Sequence, residues 1–306
     1  RKESSAASDV YKRQVRKCTV RDFYTKVTQI AREQLYQFMK DNQVSPLNYH
    51  FHYYFDDCIQ KFGIRVMEHH FTNRKIEGLT MIDEDGISIS YESQNPPVKQ
   101  NFTKCHELGH YILGHSGKQF TQLSSNKNIV EESEANLFSA YILMPDIVLL
   151  SKIYYRLDSF KQVMTELSVS ADALKFRLQD LFRYRLKLDN QEISSAIYQY
   201  QTGQSKSVLS LFEELHTEIE DEYRVVEEDV FAKVLNRLRE CCFVASTEFP
   251  ELLENSFRKE LEKEDDIDTW LEYDFGQSVG YAWRTDMLTA KQAKSRAKTI
   301  LLLEKR

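Results

Sequence analysis

The sequence predicts an α+β fold that is mostly helical, with a small β-sheet built on one hairpin and a helical C-terminal region. Three observations carry this. Only 9 Gly and 5 Pro punctuate 306 residues, too few for a turn-rich β architecture. Apolar residues recur at helical spacing over much of the chain, as at Phe23, Val27, Ile30, Ala31, Leu35 and Phe38. Two short runs, 78–82 and 87–91, flank Asp85-Gly86, a strong hairpin signal.

The elements follow in order. Residues 1–14 lack an initiating Met and resemble translated library-adapter sequence, so they are expected to be non-native and are set aside. The stripe from Phe23 to Phe38 predicts a long helix. Tyr49 to Lys61 predicts a second, with Gly63 as its C-terminal cap. A strand is expected within 64–71, ahead of the hairpin. Pro96-Pro97 breaks the chain, and Asn101 is expected to cap a helix that stops at Gly114. The next helix runs from Glu132 to Met144 and ends at Pro145.

Phe160, Val163, Met164 and Leu167 form one apolar stripe. Leu174, Leu178, Leu181 and Phe182 form another after Ser170. These two short helices look like a helix-turn-helix, and Lys175, Arg177, Arg183 and Arg185 add positive charge. The pair is nevertheless expected to complete the domain rather than bind DNA, because the chain as a whole is acidic. The polar stretch 201–207 is the expected boundary between a domain at 15–205 and a region at 206–306. Beyond it the chain reads as helical, acidic over 213–229 and 251–274 and basic over 284–306.

A formal charge of −6 makes the chain a poor general nucleic-acid binder. Its 5 cysteines are unpatterned, and adjacent Cys241 and Cys242 are awkward to bridge, which fits a reducing cytoplasm. No apolar run is expected to reach the length of a membrane span. Nothing in the pattern fixes the oligomeric state.

The chemistry concentrates at His106-Glu107-Leu108-Gly109-His110. Histidines four apart lie one turn apart on one helix face and can hold one metal ion, with Glu107 beside them to activate water. A carboxylate from the following helix would complete three ligands and leave a fourth position open, the mark of a catalytic rather than a structural zinc. Glu131, Glu132 and Glu134 are the candidates. Glu132 is preferred, because Asn136, one turn on, can hydrogen-bond a ligand from behind. Glu134 lies about 160° round the helix from Glu132 and is expected to be solvated. A third-histidine site is excluded, since Leu113 and Ser116 stand where the pattern needs Gly and His. His115 is expected to cap the helix or support a ligand. His50, His52, His69 and His70 are read as ordinary exposed or core histidines. One bland alternative is a buried helix with two satisfied histidines, against which the acidic second segment argues. Another is a metal-stabilised regulator that binds a repressor or DNA without catalysis, and Glu107 argues against it, because a structural site has no use for a base there.

These residues resemble the ImmA/IrrE family of metallopeptidases. The likeness rests on Phe102-Thr103-x-x-His106-Glu107-Leu108-Gly109-His110-Tyr111-x-x-x-His115 and on Glu132-x-x-Ala135-Asn136-x-Phe138-x-Ala140-x-x-Leu143-Met144-Pro145. It extends over roughly residues 20 to 187, with the hairpin upstream and the 169–178 segment downstream. It implies a zincin-like fold, zinc on His106, His110 and Glu132, and Glu107 as general base. It also implies a substrate, since characterised members cleave helix-turn-helix repressors and release mobile-element or stress genes. Manganese could replace zinc on such O/N ligands. Tyr111, Tyr141 and His115 are candidate donors to an oxyanion. The hairpin is expected either to offer an edge strand to an extended substrate or simply to cover the helix. Cys105 and Ser139 depart from the family pattern, where small apolar residues are usual.

Overall fold

The computed structural model describes residues 23–70, 76–115, 119–121, 129–274 and 276–303. The segment 1–14 set aside above lies outside them. The chain divides into two compact units, Arg1–Val226 and Glu227–Arg306.

In the first unit, helix α1 (23–41) buries Tyr24, Val27, Ala31, Leu35 and Phe38, the face that the 3.6-residue period predicts. Helix α2 (Phe51–Phe62) ends at Gly63, whose φ of 62° lies in the left-handed region that favours glycine. Strands β1 (Arg65–His69), β2 (Gly78–Asp83), β3 (Gly86–Glu92) and β4 (Gln119–Thr121) form a sheet in the order β1-β3-β2-β4. β1 runs parallel to β3, and the other neighbours are antiparallel. The hairpin strands β2 and β3 therefore occupy the middle of the sheet. Neither is the edge that the substrate-pairing expectation needed.

Helix α3 (Pro97–Ile112) begins earlier than expected. Pro97 takes the first helical position, where its fixed φ suits the helix and its missing N–H costs nothing. Asn101 consequently lies inside the helix rather than capping it, buried and donating to the Ser168 carbonyl at 3.3 Å. Helix α4 (Ile129–Leu143) stops before Pro145, and α5 (Asp146–Leu149) continues as a π-helical turn over Leu150–Tyr155. The span Val130–Tyr155 is long and apolar enough to cross a membrane, contrary to the expectation that no run would be, but its apolar residues are mostly buried in the core of this unit.

Helices α6 (Phe160–Glu166), α7 (Ala171–Arg185), α8 (Asn190–Gln201) and α9 (Lys206–Arg224) complete the unit. α6 starts with a capping box between Ser159 and Gln162, and Ser170 caps α7 by accepting from the Ala173 N–H. Two of the four basic residues that gave this pair a DNA-binding look are turned inward. Arg177 and Arg185 both pair with the buried carboxylate of Asp146, and Arg185 also meets Glu218 and Glu222 of α9 at 2.8 Å.

The polar stretch 201–207 is a turn between α8 and α9 and does not separate the units. α9 packs Val208, Leu211, Phe212, Leu215 and Ile219 into the same core as α1, α4 and α7, so the division falls at Val226/Glu227.

The second unit comprises α10 (Val230–Cys241), β5 (Phe243–Ala245), a 3-10 turn (Pro250–Leu253), α11 (Asn255–Leu261), β6 (Ile267–Asp274), β7 (Gln277–Arg284) and α12 (Ala290–Leu303). Its sheet, ordered β5-β7-β6, is antiparallel throughout. The helices expected here are present, and the sheet is an addition to them. Alternation along β7 sends Val279, Tyr281 and Trp283 toward Ala293, Ala297 and Leu301 of α12. Ala282 faces the other way, among Val234, Leu238, Leu252 and Leu261.

Candidate metal centre

The centre is built by two adjacent helices. α3 carries His106 and His110, and α4 carries Glu132. Gly109 lets the helices close, since a Cβ there would stand 3.0 Å from the Phe138 ring. Ser139, one of the departures from the family pattern, helps fix the crossing by donating its hydroxyl to the Phe102 carbonyl at 2.9 Å. Cys105, the other, is fully buried in the core, where burial pushes its thiol pKa far up and keeps it neutral.

The ligand atoms of His106, His110 and Glu132 all lie within 4.8 Å of one another. The two imidazole Nε2 atoms are 3.0 Å apart. Glu132 places Oε2 3.3 Å from His106 Nε2 and Oε1 3.6 Å from His110 Nε2. Ligands of a tetrahedral zinc, at bonds of about 2.0–2.1 Å, sit about 3.3 Å apart. The three separations lie about that value, with Glu132 turning a different oxygen to each imidazole.

The hydrogen bonds behind the ligands set the proton positions. His106 Nδ1–H donates to Asn136 Oδ1 at 3.0 Å, which leaves the lone pair on Nε2. Two buried nitrogens facing each other across 3.0 Å, with a carboxylate beside them, form a donor set suited to a cation. Burial, reinforced by the nearby His106, lowers the His110 pKa to about 3, so the ring is neutral as a ligand must be. The His106 contact is the largest influence on Glu132 and lowers its pKa, which keeps that carboxylate charged.

Glu107 lies beside the ligands and is 1% exposed. Thr80 of β2 donates its hydroxyl to Glu107 Oε2 at 2.7 Å. Gly78 of β2 also packs on this side chain, with no room for a Cβ, which would overlap Glu107 Oε1 and approach its Cδ to 2.9 Å. Burial pushes the Glu107 carboxyl up to about 7, with the His106 ring and the Thr80 hydroxyl pulling it down. A carboxylate poised there can exchange protons near neutrality.

The remaining predicted residues separate clearly. Asn136 stands behind His106 as described. His115 lies behind His110, its Nδ1 2.8 Å from His110 Nδ1. Glu134 does not behave as a solvated charge, because its Oε2 meets His115 Nε2 at 2.8 Å. Glu131 turns Oε2 into a buried position with no hydrogen-bond partner among the described residues and stays outside the ligand group. Tyr141 is no oxyanion donor. It is fully buried and donates to the Tyr36 hydroxyl at 3.3 Å, deep in the core. Tyr111 sets its ring edge-on to Phe62 at 5.2 Å, and no described contact takes it to the ligand atoms. His50 accepts from the His52 N–H at the start of α2, and His70 pairs with Glu92.

Sequence reasoning missed Gly78, Thr80 and Gly109 as builders of the site. Gly78 alone left a trace, as a glycine inside a strand, which often marks close backbone approach.

β4 covers β2 on its outer side, pairing Phe120 opposite Thr80. Compared with models of known families, residues 59–179 match the IrrE N-terminal-like domain, Peptidase M78. No curated protein matches the chain.

Proposed function

We propose, on the premise that residues 59–179 are a domain of the ImmA/IrrE family of metallopeptidases, that this chain is a zinc-dependent endopeptidase whose substrate is a helix-turn-helix transcriptional repressor. The observation that carries the catalytic reading is the convergence of His106, His110 and Glu132, with Glu107 held at their side by Thr80. Two imidazoles and one carboxylate are a zinc donor set with room for a further ligand, and manganese would also accept them.

A divalent ion held there would supply Lewis acidity, acidifying water and polarising the scissile carbonyl. The chain's own residues do the rest. Asn136 fixes the His106 tautomer. Thr80 holds Glu107 through Oε2, and that carboxylate takes the proton from water and then delivers it to the leaving amine. The strand-to-helix contact at Gly78 prevents that carboxylate from swinging away.

The repressor substrate is supported by the family alone. Its cleavage would release the genes it silences, those of mobile elements or of a stress response.

The test mixes purified wild type and Glu107→Gln with a helix-turn-helix repressor encoded beside the gene, with and without chelator. Fragments are read by mass spectrometry. Specific fragments from the wild type alone, abolished by chelator, are expected. Equal binding of the repressor by both proteins without fragments would replace the peptidase with a non-catalytic regulator.

A further inference from the structure

The arrangement behind His110 differs from the one behind His106. His106 leans on a neutral amide, Asn136. His110 leans on a second imidazole, which leans in turn on a carboxylate. His110 Nδ1 is 2.8 Å from His115 Nδ1, and His115 Nε2 is 2.8 Å from Glu134 Oε2. The three side chains are 2%, 5% and 18% exposed.

The end of α3 puts His115 in this place. Gly114 takes φ +67°, and the chain folds back so that the His115 N–H bonds the His110 carbonyl at 3.1 Å. A helix closed in this way returns its next side chain over its own last turn. Glu134 and Glu132 point in different directions from α4, and the folded-back His115 is what lets Glu134 act on the same centre.

We infer that Glu134 and His115 are positioning residues that fix the proton of His110 and so present its Nε2 lone pair to the metal. The inference rests on the reading of His106, His110 and Glu132 as ligands. A carboxylate oxygen accepts in the 2.8 Å bond from His115 Nε2, so His115 carries a proton there. With that proton on Nε2, His115 turns its Nδ1 lone pair to His110. That lone pair must receive a proton from its 2.8 Å neighbour, so His110 is protonated on Nδ1. His110 Nε2 is left bare, and it is the atom that faces His106 Nε2 and Glu132. Without Glu134, the proton of His115 is free to sit on Nδ1. It would then donate to His110, move the His110 proton to Nε2 and block the ligand atom.

The test compares wild type, Glu134→Ala and Glu134→Gln in two measurements. Zinc affinity is read by competition with a chromophoric chelator. Imidazole tautomers are read in the metal-free proteins by long-range proton–nitrogen correlation spectra. Glu134→Ala is expected to bind zinc about 10- to 100-fold more weakly and to lose the Nδ1–H form of His110. Glu134→Gln retains an acceptor oxygen and is expected to recover most of the affinity. An unchanged zinc affinity and an unchanged His110 tautomer in a folded Glu134→Ala would overturn the relay. If the wild type binds no zinc, the metallopeptidase reading falls separately. The metal-free spectra then still decide whether Glu134 sets the His110 proton.

Discussion

Thr80 and Glu107 stand 27 residues apart in the chain and 2.7 Å apart at the site, hydroxyl to carboxylate. The strand thus aims the base that the helix carries. Replacing Thr80 with Val removes a donor that pulls the Glu107 carboxyl down, so that carboxyl should titrate higher. Glu107 must be ionised to accept a proton. The acidic limb of kcat/KM against pH is therefore expected to move to higher pH in Thr80→Val. A profile superimposable on the wild type would show that the hydroxyl does not tune the base.

Gly78→Ala should leave the fold and metal binding intact while displacing Glu107. Misplacement of a catalytic group by about 1 Å costs on the order of 100-fold in rate. A fall of that size in kcat, with zinc affinity unchanged, is expected. Wild-type kcat would mean that the strand yields to the new methyl group.

Glu107→Gln should keep zinc and lose about 100- to 10,000-fold in turnover, the usual contribution of a general base. His110→Ala should lose the metal itself. Zinc content by atomic absorption, set beside cleavage, separates the two.

Tyr141→Phe is expected to leave turnover unchanged, since the hydroxyl donates to Tyr36 within the core, and among the described residues no contact takes it to the candidate site. A loss on the order of 100-fold would restore Tyr141 as an oxyanion donor.

Asp146 predicts how stability depends on acid. Burial alone would raise its pKa, but Arg177 and Arg185 together hold it below the ordinary range. Its folded pKa thus lies below the unfolded value of about 4. Its stabilisation is full above that value and is lost as pH falls through the lower folded pKa. Denaturant melts should show stability dropping below about pH 4. Asp146→Asn, which leaves the buried Arg177 without its carboxylate and takes one of three from Arg185, should cost on the order of 3–5 kcal/mol at neutral pH. A wild-type midpoint in that variant would rule the network out as a stabiliser.

The legible parts of the site were those set by periodicity within one helix. His106 and His110 share a face because they are four apart, and Glu132 and Asn136 follow the same rule on the next helix. Glu134 was misread because angle round a helix ignores the reach of a glutamate and the fold-back at Gly114. Thr80 was invisible and Gly78 left only the trace of a glycine in a strand, since their roles exist only once a strand lies on α3. The mostly helical class was readable from scarce turn residues. The second sheet was hidden by Asp and Glu in β6, which are poor strand formers. The break between units was misplaced because a polar turn looks the same between two helices as between two domains.

That break has a consequence for how such a protein could be cut and rejoined. A splice at 205 would remove α9, stripping Phe212 and Leu215 from the larger core and leaving Arg185 without Glu218 and Glu222. A splice at 226 keeps α9 and both of those ion pairs with the larger unit. Val226/Glu227 is accordingly the seam at which recombination could exchange the C-terminal unit and leave the unit with His106, His110 and Glu132 whole.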